Sequence, residues 1–97
     1  MKRVLVTGAR GLLGSALVPR LQVCGHEVYR HSRKGDVDVN ADLIDEGQVK
    51  VVLDQVTPEV IINLAALTDV DECERNPKLA YLANVRIVEN LVKWIQD

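Results

Sequence analysis

The sequence predicts an α/β domain: the amino-terminal half of a doubly wound parallel sheet, strand order 3-2-1-4, with helices on both faces. Three observations carry this prediction. Short β-branched runs alternate with longer stretches of helical periodicity, in the order βαβ(β)αβα. The crossovers exceed about ten residues, which suits helical connections between parallel strands, and right-handed crossovers then set the strand order. Three glycines, at 8, 11 and 14 in "VTGARGLLGS", stand where the first strand gives way to the first helix. The 97 residues make one small domain, 1–97, with no internal repeat, linker or low-complexity segment.

Each element has a local reason. "KRVLVT" is a short β-branched run bounded by Gly8 and reads as a buried strand. From Leu12 to Cys24, residues Leu13, Ala16, Leu17, Leu21 and Cys24 recur at helical spacing, which predicts the face turned to the sheet. Pro19 within that helix is expected to bend or locally break its hydrogen-bond ladder, and Gly25 suits the residue just past its end. "HEVYRHS" is the second strand, and "DVDVNAD" alternates as a short third strand does. Asp45 is the N-cap of a second helix to Val56, with Val49, Val52, Leu53 and Val56 on one face. "EVIINLAA" is a continuous apolar run, as in a strand buried on both faces. Thr68 and Asp71 resemble a capping pair that opens one helical turn. Asn76 and Pro77 mark the start of a last helix that runs to the carboxyl terminus.

Composition bounds the function. Hydrophobic residues make up 47% of the chain and charged residues 27%, as in a globular protein. With no Phe, one Trp and two Tyr, the core must be aliphatic. A chain of this size buries roughly 60–65% of the surface its unfolded form exposes. The net charge of −2 offers no general attraction to nucleic acid or to an anionic membrane. Cys24 and Cys73 form no C-x-x-C pattern, which suits two reduced thiols. The apolar run Val4 to Val6 is too short for a secretion signal, and no stretch approaches a membrane span of about 20 apolar residues. A cytoplasmic location is the resulting expectation.

At the end of the first strand, the amino terminus of the next helix offers unpaired N–H groups and about half a positive charge, a site for a diphosphate. Gly8 permits the sharp exit from the strand, Gly11 lacks a Cβ that would collide with the diphosphate, and Gly14 lets helix and strand approach. The spacing is G-x-x-G-x-x-G, one residue longer than G-x-G-x-x-G. A tight turn without a ligand is the competing reading; the position between strand and helix favours the phosphate loop.

"VTGARGLLG" resembles the T-G-x-x-G-x-x-G fingerprint of the extended short-chain dehydrogenases/reductases, in the NAD-dependent epimerase/dehydratase superfamily. The likeness is closest to the dTDP-4-dehydrorhamnose reductases and the sugar-nucleotide-reductase-like proteins. Three more segments support it, so that the resemblance spans the whole chain. "NADLID" is similar to the segment whose Asp-Leu pair, here Asp42 and Leu43, meets the adenine. "INLAALTDVDECERNP" is similar to the stretch whose Ala-Ala, here Ala65 and Ala66, lines the ribose and pyrophosphate. "LANVRIVENLV" resembles the next helix, with Asn84 at a recurrent family position. The resemblance implies a Rossmann fold and cofactor contacts from Gly8, Arg10, Gly11, Leu12, Leu13 and Gly14. It also implies reduction of a nucleotide-linked 4-keto-6-deoxy sugar.

The end of the second strand predicts which nicotinamide cofactor binds. An acid there accepts from the 2′-OH of NAD, whereas basic groups suit the 2′-phosphate of NADP. Here Arg30, His31, Ser32, Arg33 and Lys34 supply three fixed charges and a hydroxyl, and the nearest acid, Asp36, lies beyond Gly35. Guanidinium pairs with phosphate through bidentate hydrogen bonds, and Arg10 can reach the same phosphate. NADP(H) is therefore favoured over NAD(H), with a solvated basic loop as the alternative.

Other clusters point to no chemistry. Asp69, Asp71, Glu72 and Glu74 lack the glycine and final Glu of a calcium loop, and Asp71 with Arg75 reads as a helix-surface pair. His26 and His31 share no metal-ligand spacing with each other or with the cysteines. The family's proton donor is a Tyr-x-x-x-Lys pair, whose ammonium lowers the phenol pKa of about 10. Here Tyr29 is followed at that spacing by Arg33, and Tyr81 by Val85. No catalytic residue is therefore assigned, and the chain alone is expected to be inactive, its strand five and substrate domain missing. A non-catalytic NADP-binding regulatory subunit or sensor is the alternative. The last helix carries Ala80, Ala83, Ile87, Leu91 and Trp94 on one side, with Val85, Val88, Val92 and Ile95 beside them. That stripe is wider than one sheet face needs and, with an unpaired fourth strand, predicts a homo-oligomer.

Overall fold

A computed structural model describes residues 1–65 and 77–97. The elements are β1 (Arg3–Thr7), α1 (Leu12–Val23), β2 (Glu27–Ser32), β3 (Val39–Asn40), α2 (Glu46–Val56), β4 (Val60–Asn63) and α3 (Pro77–Gln96). The four strands form one parallel sheet in the order β3-β2-β1-β4. This is the predicted 3-2-1-4 order, the first half of a Rossmann sheet.

Alternation along β1 divides the core in two. Leu5 faces Val49, Val52, Leu53 and Val56 of α2 and Ile87 and Leu91 of α3. Val4 and Val6 face the other way, onto Ala9 and onto Val18 of α1. A strand with layers on both faces is buried throughout, and Val4, Leu5 and Val6 are. Right-handed crossovers explain the division. The step from β1 to β2 and the step from β3 back to β4 run in opposite directions, so α1 and α2 fall on opposite faces.

Helix α2 starts and packs as predicted: Asp45 accepts a hydrogen bond from the Gln48 N–H at 3.2 Å, and all four named apolar residues are buried. Helix α1 is turned from the predicted face. Gly14 and Val18 are its buried residues, with Leu17 and Leu21 half-buried, while Leu13, Ala16 and Cys24 are exposed. The reason is Gly14: a Cβ there would lie 2.6–2.8 Å from the backbone of Ala9, so the helix makes its closest approach on that side. The helix runs through Pro19 as one element. It ends on Cys24, with Gly25 at φ 88; the His26 N–H reaches Leu21 O at 3.1 Å and the Gly25 N–H reaches Gln22 O at 3.0 Å.

Strand β3 is shorter than its alternating sequence predicts. The Asp38 carboxylate accepts the Arg30 backbone N–H at 2.7 Å, so a side chain takes the donor that a longer ladder would use. Strand β4 is half-exposed rather than buried on both faces, because its paired neighbour is β1 and its other edge is open among the described residues. The Thr68–Asp71 capping pair, the Asn76 cap, the Asp71–Arg75 pair and Cys73 lie outside the described residues, as do Asp69, Glu72 and Glu74. Among the described residues, no helix is long and apolar enough to cross a membrane.

Candidate functional site

The carboxyl ends of β1, β2 and β4 open onto a cleft of about 450 Å³. Its lining draws on the glycine loop (Gly8, Arg10, Gly11), the turn after β2 (His31 to Lys34), the segment after β3 (Asp42 to Ile44) and the exit of β4 (Leu64, Ala65). Helix α3 closes one side with Ala83, Asn84 and Ile87. Segments more than fifty residues apart in sequence thus meet where the strand order reverses, the position at which such sheets bind ligands.

The three glycines do different work. Gly8 has φ 63, and a Cβ on it would sit 2.8 Å from the backbone of Leu64 and Ala65. Gly14 is needed against Ala9, in the loop rather than the strand the sequence suggested. Gly11 is the N-cap of α1 with φ −70; a Cβ on it would meet only Gly8 O, at 3.4 Å. Nothing within the described residues demands glycine there. What its absent side chain leaves is open space at the lip of the cleft, over a helix end that no side chain caps. The first-turn N–H groups of Leu12, Leu13 and Gly14 are those a helix leaves without internal partners. The side chains of Leu12 and Leu13 are exposed and do not line the cleft.

Two buried polar side chains hold this loop. Thr7 Oγ1 donates to Asn63 Oδ1 at 2.5 Å and accepts from the N–H groups of Leu64 and Ala65 at 3.0 and 3.2 Å. Its one donor and two lone pairs are all used, which locks the exit of β4 beside that of β1. His31 does the same from β2. Its Nδ1 accepts the Gly8 N–H at 3.2 Å, so Nε2 carries the proton and donates to Ala41 O at 2.9 Å. Burial holds the His31 pKa below its ordinary value, against the opposing pull of the Ala41 carbonyl.

The basic turn is split by the sheet. Ser32, Arg33 and Lys34 line the cleft, with Arg33 and Lys34 exposed. Arg10 crosses to this turn: its guanidinium donates to Lys34 O at 3.0 Å and lies against Gly35. Arg30, predicted with them, is not brought to the cleft. It alternates onto the α1 side and pairs with Asp38 at 3.4 Å. Across the cleft, Asp42 Oδ1 accepts the Ile44 N–H at 3.1 Å, while the Asp42 N–H is held by Gln48 at 2.8 Å. Leu43 is buried, and Asn90 of α3 donates to Leu43 O and Ile44 O at 2.9 and 3.0 Å. Ala65 and Asn84 line the cleft; Ala66 lies outside the described residues.

Sequence reasoning missed Thr7, Asn63 and Asn90 as site-building residues. A signal existed for the first two: each is the polar residue that ends an apolar strand, and the two are register partners. Asn90 carried no signal beyond a polar residue inside an apolar helical face.

Chemically, the cleft presents an uncapped helix end with a glycine at its lip, cations at one end and apolar walls at the other. That suits a ligand with a diphosphate, a further anionic group and a flat apolar part. Fold and site together define the chain as the first half of a doubly wound α/β domain, with a cleft where its strand order reverses. The family model described as RmlD substrate binding domain matches residues 1–97, and the chain belongs to that family.

Individual relatives agree. The chain is 43% identical over 84 residues to the probable low-salt glycan biosynthesis reductase Agl14 of Haloferax volcanii, covering 81% of this chain and 28% of that protein. It is 38% identical over 96 residues to methionine adenosyltransferase 2 subunit beta of Xenopus laevis, covering 95% and 28%. Its backbone matches the crystal structure of dTDP-4-dehydrorhamnose reductase from Bacillus anthracis in complex with NADP, at TM-score 0.77 and 33% identity, covering 94% of this chain and 31% of that one. The chain thus spans about 28% of the length of these curated relatives.

Proposed function

We propose that the cleft binds NADP(H), in preference to NAD(H), as the cofactor site of an oxidoreductase resembling dTDP-4-dehydrorhamnose reductase. The substrate class is a nucleotide-linked 4-keto-6-deoxy sugar. The observation that carries this reading is the meeting, in one cleft, of the open lip at Gly11 with Ser32, Arg33, Lys34 and Arg10. The residues fit the group: no Cβ blocks the helix end, and the carboxylate that lines the cleft, Asp42, lies on the segment after β3 rather than in the turn after β2.

When bound, the nicotinamide supplies a hydride. This chain's residues bind and orient. The amides of the first turn of α1 take the diphosphate, Arg33, Lys34 and Arg10 take the 2′-phosphate, and Asp42, Leu43 and Ile44 flank the adenine. Ala65 faces the ribose and pyrophosphate, with Ala66 next in sequence, and Asn84 lines the same cleft from α3. No residue here is assigned to proton transfer; in this reading the donor comes from outside the 97 residues.

Calorimetric titration tests the cofactor assignment. NADPH is expected to bind more tightly than NADH, and the Arg33→Ala, Lys34→Ala double variant to lose that preference. Equal affinities in the unaltered chain would refute it.

A second reading is favoured by one relative's description as a subunit of methionine adenosyltransferase 2. In it the domain binds the same cofactor but serves a non-catalytic regulatory role. The sequence of the full polypeptide from its source separates the two: one that continues into a Tyr-x-x-x-Lys segment supports the reductase, and one without it supports the regulatory role. We further infer self-association through the open edge of β4 and the exposed Tyr81, Val88 and Val92 of α3. A clean monomer at high concentration in the ultracentrifuge refutes that part.

A further inference from the structure

We propose that His31 is a positioning residue for the glycine loop: its neutral ring, accepting at Nδ1, sets the Gly8 amide and so holds the loop in the shape that receives a diphosphate. Protonation of the ring removes that acceptor and loosens the loop. The inference rests on the reading of the cleft as a dinucleotide site.

Consecutive amides of the loop end on this one residue. The Gly8 N–H goes to the ring at 3.2 Å and the Ala9 N–H to the His31 carbonyl at 2.8 Å. The far ring nitrogen is fixed on Ala41 O at 2.9 Å, so the ring is held from both ends and is 2% exposed. The tautomer is thereby determined, because Ala41 O can only accept. A doubly protonated ring presents an N–H to the Gly8 N–H, two donors face to face. One of them must move, and Gly8, at φ 63 and pressed against Leu64 and Ala65, has little room.

Among the described residues, the charged groups around the cleft are Arg10 from the glycine loop, Arg33 and Lys34 from the turn after β2, and Asp42 after β3. β1 contributes only Thr7 beside the loop, and α3 contributes Ala83, Asn84 and Ile87. The balance is cationic and opposes a charged ring, in the same sense as burial. Diphosphate binding and a neutral His31 thus go together, and affinity is expected to fall as pH drops below the ordinary histidine range.

Two variants divide the ring's roles. His31→Asn keeps an acceptor near the Nδ1 position and loses the Ala41 contact. His31→Gln keeps a donor near the Nε2 position and loses the Gly8 contact. The probe is ADP-ribose, whose diphosphate does not titrate near neutrality, measured by calorimetry from pH 8 to pH 5. The unaltered chain is expected to lose affinity as pH falls. His31→Gln is expected to bind roughly three- to tenfold more weakly at pH 8, with the pH dependence gone. His31→Asn is expected to retain most of the affinity and also lose the pH dependence.

A pH-independent unaltered chain, or His31→Gln binding as tightly as the unaltered chain, overturns the proposal. Should both variants fail to fold, ¹⁵N spectra of the unaltered chain decide it. Nε2 should carry the proton at neutral pH, and the Gly8 amide should shift in step with the ring's titration; the opposite tautomer or an indifferent Gly8 overturns the inference. ADP-ribose that fails to bind at any pH overturns the reading of the cleft and the positioning role with it, whatever the spectra show of the ring.

Discussion

Three glycine-to-alanine substitutions separate backbone strain, steric overlap and ligand approach within one small molecule. Gly25→Ala is the reference. Its φ of 88 is strained for alanine, but nothing lies within 4 Å of the new Cβ. The cost is that of a left-handed alanine, about 1 kcal/mol. Gly8→Ala has the same kind of strain at φ 63 and adds a Cβ 2.8 Å from three backbone atoms of Leu64 and Ala65. Those atoms are pinned by Thr7 and cannot yield cheaply. Overpacking of that sort adds about 1–3 kcal/mol, for a total of about 2–4 kcal/mol. For a domain of this size that lowers Tm by roughly 10 °C or more. Gly11→Ala has ordinary φ and one contact at 3.4 Å. It should cost under about 1 kcal/mol, the difference between glycine and alanine at an N-cap. Yet it places a methyl group at the lip of the cleft, and NADPH affinity should fall at least about tenfold, or 1.4 kcal/mol. Urea unfolding followed by far-UV circular dichroism reads the first two variants, and calorimetric titration reads the third. If Gly8→Ala and Gly25→Ala cost the same, the packing of β4's exit against the loop is not as described. If Gly11→Ala binds NADPH as tightly as the unaltered chain, the diphosphate does not sit at this helix end.

The remaining predictions follow from burial. Leu53 is fully buried under the sheet, so Leu53→Ala should cost about 2–5 kcal/mol, while Val51→Ala, on the exposed side of the same helix, should cost under about 0.5 kcal/mol; denaturant midpoints compare them directly. Val18→Ala should destabilise by about 1–3 kcal/mol and Leu13→Ala by much less; the reverse order in thermal unfolding would restore the face of α1 that periodicity alone predicted. Asn90→Ala leaves Leu43 O and Ile44 O without their α3 donor and should cost about 1–3 kcal/mol; hydrogen exchange at Leu43 to Asp45 should rise with it if the effect is local.

Sheet order and face division were legible because they follow from patterns the chain states openly. Leu5 between Val4 and Val6 can only serve two cores if helices lie on both faces, and Asp45 with Val49, Val52, Leu53 and Val56 names a helix together with its buried side. The face of α1 was not legible. Its apolar residues surround the helix, Leu12 and Leu13 among them, so periodicity carries little information, and the decisive residue was a glycine with no hydrophobicity to count. The candidate site divided in the same way. Gly8, Arg10, Gly11, Ser32, Arg33, Asp42, Leu43, Ala65 and Asn84 come together as their positions in the strand–loop–helix units imply. Arg30 does not, because one residue along a strand reverses the face, and its side chain falls to Asp38. His31 lies in the cleft's wall but is spent on the loop behind it.

That last distinction extends across the molecule. Among the described residues, the buried polar side chains are Thr7, His31 and Asn90. A buried polar group left unpaired costs about 1–3 kcal/mol, and a paired one contributes only about 0.5–1.5 kcal/mol net per hydrogen bond, so such a side chain is tolerated only where its partners are held in place. All three are paired, and all three to the backbone of segments that line one cleft: Thr7 to Leu64 and Ala65, His31 to Gly8 and Ala41, Asn90 to Leu43 and Ile44. They come from β1, β2 and α3, three elements with no sequence proximity. Their common effect is to fix three loops relative to one another, which packing of Val, Leu and Ile, being non-directional, does poorly. Loops that only connect strands do not need such fixing. Loops that must present amides, cations and an apolar wall to one ligand do, and the placement of these three side chains accords with the dinucleotide site proposed for the cleft.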